Sequence, residues 1–226
     1  MIRLLCALAL LLTGATAAIG AEPAAETQTA PSKPADAAPA MRLQGFRDAH
    51  WGMDASEVKA AIRKDFNIAP DKIRSEENAS ERTTALSVTV PNLIEGAGKA
   101  RVSYIFGFTT KKLIQVNVIW GTPVDAAVKP DEVVAAANQL RDLFIASGYE
   151  PASVHTNVAA KDGTIVVFEG QDADKHATLL TLVNSSVPGP AKNGKREPAT
   201  HAIVLRLSYI LDPQSPDIFR LKKGQF

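Results

Sequence analysis

ARVSYIFGFTTKKLIQVNVIWG, residues 100–121, decides the fold. In its first part Val102, Tyr104, Phe106 and Phe108 alternate with shorter or polar residues. In its second part Ile114, Val116, Val118 and Trp120 do the same. A period of two places every second side chain on one face, so each part reads as a half-buried strand. The polar turn Thr109-Thr110-Lys111-Lys112 joins them into an antiparallel hairpin.

Working outward, Thr84 to Val90 supplies another strand through Leu86, Val88 and Val90. Upstream, Asp54 is placed as a helix N-cap with Glu57 three residues on, a capping-box spacing. Val58, Ala61, Ile62 and Phe66 then recur at helical spacing, and Pro70 ends the run. The charged stretch from Asp71 to Arg82 reads as loop with a short helical turn. Downstream, Pro130, Asp131 and Glu132 open a second helix, with an apolar face of Val133, Ala136, Ala137, Leu140, Leu143 and Phe144 and with Gly148 to end it. Strands follow at Thr164 to Glu169, Ala177 to Asn184 and His201 to Leu211. Ser185 to Thr200, rich in Pro and Gly, reads as a surface connection.

The expected fold is therefore α+β: an antiparallel sheet of about six strands with two helices on one face. Helix plus three strands is stated twice, an αβββ-αβββ pseudo-repeat with halves at about 41–122 and 123–226. Each half alone leaves the edge of its sheet open, and two halves side by side can share a core.

The first 21 residues read as a secretory signal peptide. Arg3 precedes the apolar run Leu4 to Leu12, and small residues including Ala15-Thr16-Ala17 follow. The run is short for a bilayer span, which needs about 20 residues. Residues 22–40 are rich in Ala and Pro with no aromatic residue and read as a disordered linker. Residues 41–226 form a single α+β domain, and no integral membrane segment is expected after signal cleavage. The expected location is periplasmic or secreted.

Cys6 is the only cysteine and leaves with the signal. A disulfide framework, a thiol nucleophile and a cysteine metal site are thereby excluded. The 226-residue chain holds 25 basic and 24 acidic residues; loss of Arg3 leaves 24 of each. Such a balance supplies no overall field for nucleic acid.

Chemistry-bearing motifs are sparse. His50, His155, His176 and His201 lack metal-ligand spacing. There is no nucleophile elbow, and Ser185-Ser186 reads as turn chemistry. Gly96-Ala97-Gly98-Lys99 lacks the remainder of a phosphate loop. Asp172 and Asp174 flank a hairpin turn and are too few oxygens for calcium. Counting back in twos from Phe226 meets Lys222 and Arg220, unlike the last strand of a membrane barrel. No catalytic, metal-binding or cofactor-binding residue is assigned, and no cofactor is expected.

What stands out is Phe46-Arg47-Asp48-Ala49-His50-Trp51-Gly52-Met53, aromatic and charged residues around a helix start. One reading is a hydrophobic staple beneath the helix. The other is a binding patch of Arg47, His50 and Trp51, since Trp and Arg are enriched at binding hot spots. Lys111 and Lys112 form a second candidate patch, or a hairpin tip kept soluble by charge.

Gly45 to Ile62 (GFRDAHWGMDASEVKAAI) and Ala100 to Gly121 together resemble a group of uncharacterised exported proteobacterial proteins, in which a G-F-R-x-x-x-W-G-M segment opens the domain. Pro216-Asp217-Ile218-Phe219-Arg220 fits the same resemblance. It implies export and no particular activity, cofactor or site. The element order is also similar to β-lactamase-inhibitor-like and outer-membrane-assembly lipoprotein modules, though with one helix per half instead of two.

The expected function is a non-catalytic periplasmic binding or protein-interaction module of the cell envelope, with an envelope protein as partner. The alternative is a carrier of a small apolar ligand held between sheet and helices. A third reading is an enzyme whose site is assembled between the halves.

Overall fold

The structure, a computed structural model, describes residues 40–187, 191–192, 195–196, 200–221 and 224. The segments read from the sequence as signal peptide and, apart from Ala40, as linker lie outside the described residues.

Gly45–Phe46 (β1) and Ala49–His50 (β2) pair as a short ladder. Gly45 has φ 137°, and a Cβ there would fall 2.0 Å from the Ala49 carbonyl oxygen, so only glycine allows this approach. Helix α1 spans Ala55–Phe66. Its start is the capping box expected from sequence: Asp54 accepts the N–H groups of Ser56 and Glu57 at 3.0 Å each, and Glu57 accepts the Asp54 N–H at 2.8 Å. Asn67 ends it in the left-handed region at φ 52°. Val58, Ala61 and Ile62 are its buried stripe.

Helix α2 spans Pro130–Ile145 and buries Val133, Ala136, Ala137 and Phe144. Leu143, expected on that face, is 59% exposed. The α2 stripe is narrower than its apolar residues allow, and Leu143 falls on its flank.

The main sheet has eight strands, and this corrects the expectation of about six. They are β3 (Arg74–Asn78), β4 (Thr83–Val90), β5 (Ala100–Phe106), β6 (Leu113–Gly121), β7 (His155–Ala159), β8 (Ile165–Gln171), β9 (Ala177–Val187) and β12 (Thr200–Ile210). Between the last two, β10 (Ala191–Lys192) and β11 (Lys195–Arg196) form their own small ladder. The spatial order is β3-β4-β5-β6-β12-β9-β8-β7, with every neighbouring pair antiparallel. Each helix is thus followed by four strands of the sheet, not three. The two additional strands are the edges. All of β3 is exposed, as is β7 except for half-buried Thr156, so neither carries an apolar alternation. Edge protection differs between them. β3 is charged (RSEEN), whereas β7 is interrupted by Asn157 at φ 55°.

Register aligns the buried residues in rows. Val88, Val102, Val118, Leu207 and Leu180 form one, and Leu86, Tyr104, Val116 and Tyr209 another. These rows share one core cluster with the buried stripes of both helices, so α1 and α2 lie on the same face of the sheet. Trp120, Tyr104 and Phe168 are its bulkiest fully buried side chains. Burying each Leu, Ile or Val contributes about 1.5–3 kcal/mol, which is how the domain holds together without disulfides. Among the described residues no helix is long and apolar enough to cross a membrane.

Candidate interaction surface

The aromatic opening motif is committed to local structure. Trp51 donates its indole N–H to the Leu43 carbonyl at 2.7 Å and meets the His176 ring edge-on at 6.2 Å. Phe46 stacks on Tyr209 at 5.8 Å. Arg47, at φ 55°, lays its guanidinium over Phe66, 4.8 Å from the ring centroid. His50 is exposed.

The hairpin tip sits next to this motif. Leu113 donates to the Met53 carbonyl at 2.8 Å, and Gly52 donates to the Leu113 carbonyl at 3.3 Å. Lys112 Nζ lies 3.7 Å from the Asp54 carboxylate, and Lys111 Nζ lies 5.3 Å from the Phe108 ring centroid. The fold therefore brings Lys112 to the helix cap beside Trp51, while Arg47 is drawn away to the far end of α1.

Asp217 holds the tip from the C-terminal segment. Its carboxylate accepts Thr109 N–H at 3.0 Å, Thr110 N–H at 2.8 Å and the Thr110 hydroxyl at 2.7 Å. Partial burial opposes its charge, but these donors outweigh the burial and hold the carboxyl down at about 2. Phe219 completes the clamp, donating its N–H to the Glu81 carbonyl at 2.8 Å under the Arg82 guanidinium, 3.8 Å from the ring centroid.

Asp172 is fully buried at the β8–β9 turn. It accepts N–H groups of Leu43 at 2.6 Å and of Asp174 and His176 at 2.9 Å each, and lies 3.1 Å from His176 Nδ1. Asp172, Asp174 and His176 bring ligand-type atoms within 4.8 Å of one another. Protein donors already occupy Asp172, and Asp174 pairs with Arg42 at 2.7 Å. The cluster ties the N-terminal segment to the sheet.

The far side of the sheet is different. Among the described residues no helix covers it. Register places Ser87, Ser103, Asn117, Ser208 and Leu179 in one row there and Arg101, Ile119, Arg206 and Thr181 in the next. Ser87 and Ser103 share a hydrogen bond at 2.9 Å, and Gln115 donates to Asn117 at 2.9 Å. Ile105, Ile119, Leu179 and Ile210 are half-buried on this side and stand outside the core cluster. None of the eight strands contains a lysine. On the four central strands the only charged residues are Arg101 and Arg206, both exposed. Neither has an ion-pair partner among the described residues.

At the end of the β6–β12 pair, the C-terminal segment closes a cavity of about 390 Å³ lined largely by apolar surface, including Leu113, Ile114, Ile210, Leu211 and Pro216. Gln115 and Ile210 belong both to this cavity and to the uncovered face.

Reading the sequence for motifs passed over Arg101, Ile119 and Arg206. The available signal was the polar alternate positions of the strands, where a solvated sheet commonly carries lysine and this one does not. No protein-family model, curated protein or solved structure matches this chain.

Proposed function

We propose that this chain is a non-catalytic periplasmic binding or protein-interaction module of the cell envelope, delivered by its signal peptide and carried on the linker 22–40. The uncovered face of the eight-stranded sheet carries this reading. Its half-buried Ile and Leu and its arginine without lysine follow the enrichment of Arg and depletion of Lys at protein interfaces, while the short polar side chains between them carry no such signal. The named chemistry in the domain points the same way: the Asp172 cluster and the Asp217 clamp both spend their carboxylates on holding segments together.

The halves extend the proposal. Each runs from a helix to a short 3₁₀ turn opened by proline, Pro70 or Pro151, then to an exposed edge strand and three more strands. We infer a duplicated unit whose two copies join edge to edge at β6 and β12, which doubles the uncovered face.

Photo-crosslinking residues at Ile119, and as a control at Asn138 on α2, test the module reading in cells whose envelope is intact. A saturable adduct from position 119 and none from position 138 is the expected result. Equal labelling at both positions, or none at either, removes the support. Fractionation with N-terminal sequencing tests export; an uncleaved cytoplasmic chain overturns it.

The cavity at the end of β6 and β12 favours a second reading, a carrier of a small apolar ligand. Its volume lies within the roughly 300–1,000 Å³ of ligand sites. Native mass spectrometry of freshly purified protein separates the two: a co-purified apolar mass supports the carrier, and a bare chain argues against it.

A further inference from the structure

Resting on the interaction-module reading, we infer that the partner presents an acidic protein segment with an apolar anchor, docked on the row Arg101–Ile119–Arg206. Both arginines are register partners of Ile119, one from each neighbouring strand. Strands lie about 4.8 Å apart, so the two arginines stand about 10 Å apart with an isoleucine between them. Two like charges so placed repel each other only weakly across water, and an anion set between them meets both. Other charges on this face sit at its margins: Arg74 and Glu76 on β3, and Glu169 on β8. The two charges on the central strands are therefore both cationic, with Arg101 sharing a cleft with Arg74 and Glu76 at the β3 margin, while the mature chain is balanced.

Guanidinium groups pair with carboxylates in a bidentate fashion, and both arginines are exposed without an ion pair among the described residues. The apolar cavity begins at Gln115 and Ile210. Along β6 these lie four residues from Ile119, roughly 13 Å at strand rise. An extended segment with its carboxylates over the arginines can thus seat one apolar side chain in the cavity. A membrane surface fits less well, because anionic lipid recognition uses clusters of about four to eight basic residues, and lysine is missing from all eight strands of the main sheet.

The test uses the full mature chain with peptides of about twelve residues: one rich in Asp and Glu with a single leucine, the same with lysine for each acid, and the same acidic peptide with serine for leucine. Vesicles containing phosphatidylglycerol are the lipid probe. Amide NMR titration reads the location, and anisotropy reads the affinity. The acidic leucine peptide should shift Ser103, Asn117, Ile119 and Arg206, with binding weakened by added salt. Arg101→Glu with Arg206→Glu should weaken it about tenfold or more, and removal of the leucine severalfold. Arg101→Gln with Arg206→Gln repeats the test without charge reversal, should the first pair fail to fold. Equal binding of the lysine peptide, shifts confined to other faces, unchanged affinity in both double variants, or tighter binding to vesicles overturns the inference. A crosslinked partner at position 119 whose contact segment is not acidic also overturns it, while leaving the module reading intact.

Discussion

Thr110 binds Asp217 twice: its hydroxyl and its backbone N–H both donate to Asp217 Oδ2, at 2.7 and 2.8 Å. The contact joins the tip of the β5–β6 hairpin to the C-terminal segment. Gly107 permits it, since a Cβ there would fall 2.2 Å from the same oxygen.

Asp217→Ala should therefore release the C-terminal segment and destabilise the domain by about 1–3 kcal/mol, because the Thr109 and Thr110 donors lose a charged acceptor. Urea unfolding gives the stability. Limited proteolysis near residue 212 gives the release; a variant cut no faster than wild type contradicts the clamp.

Acid should weaken the fold between about pH 4 and pH 2. Asp54 and Asp217 ionise ordinarily at 3.8 and are held down at about 2, Asp54 by the Ser56 hydroxyl and the Glu57 N–H, Asp217 by the Thr110 and Thr109 donors against its burial. A carboxyl depressed by folding stabilises above its unfolded value and loses that contribution as pH falls through its folded one. Asp125 and Asp162 are also depressed, by backbone N–H donors of Lys99 and Thr164. Asp65 opposes them, since burial raises its carboxyl and folding favours its protonated form. Urea midpoints from pH 2 to 5 should rise with pH; a flat or falling series contradicts the assignment.

Asp172→Ala should cost about 3 kcal/mol or more, because it leaves the buried Leu43 N–H and the part-buried N–H groups of Asp174 and His176 without their acceptor. Asp174→Ala, which breaks only an exposed pair with Arg42, should cost about 0–1 kcal/mol. Matched denaturation curves distinguish them, and equal losses would mean that the cluster is not organised around Asp172.

Tyr104→Phe should leave stability unchanged or raise it by about 1 kcal/mol. The hydroxyl is fully buried with no hydrogen-bond partner among the described residues, and removing an unpaired buried polar atom recovers its desolvation cost. Thermal unfolding checks it; a loss beyond about 1 kcal/mol would reveal a partner, such as bound water.

Period and cap chemistry made much of this domain readable in the chain. Tyr104, Val116, Val118 and Leu207 announce their strands because one face is wet and the other dry, and Asp54 with Glu57 announces α1 because orphan N–H groups need acceptors. The strands β3 and β7 stayed hidden: RSEEN and HTNVA bury almost nothing on either face, so no alternation marks them, and only pairing with β4 and β8 makes them strands.

The candidate surface divides in the same way. Residue type alone singled out Trp51, Arg47, His50 and the Lys111-Lys112 turn, and their tertiary contacts engage most of these within the fold. Arg101 and Arg206 lie far apart in the chain, and each in isolation is an ordinary exposed strand residue. Local alternation, set by neighbours one and two residues away, determined that they point out of the core. That they flank Ile119 was decided only when β6 paired with β5 on one side and β12 on the other, because the order and register of strands are properties of the whole sheet.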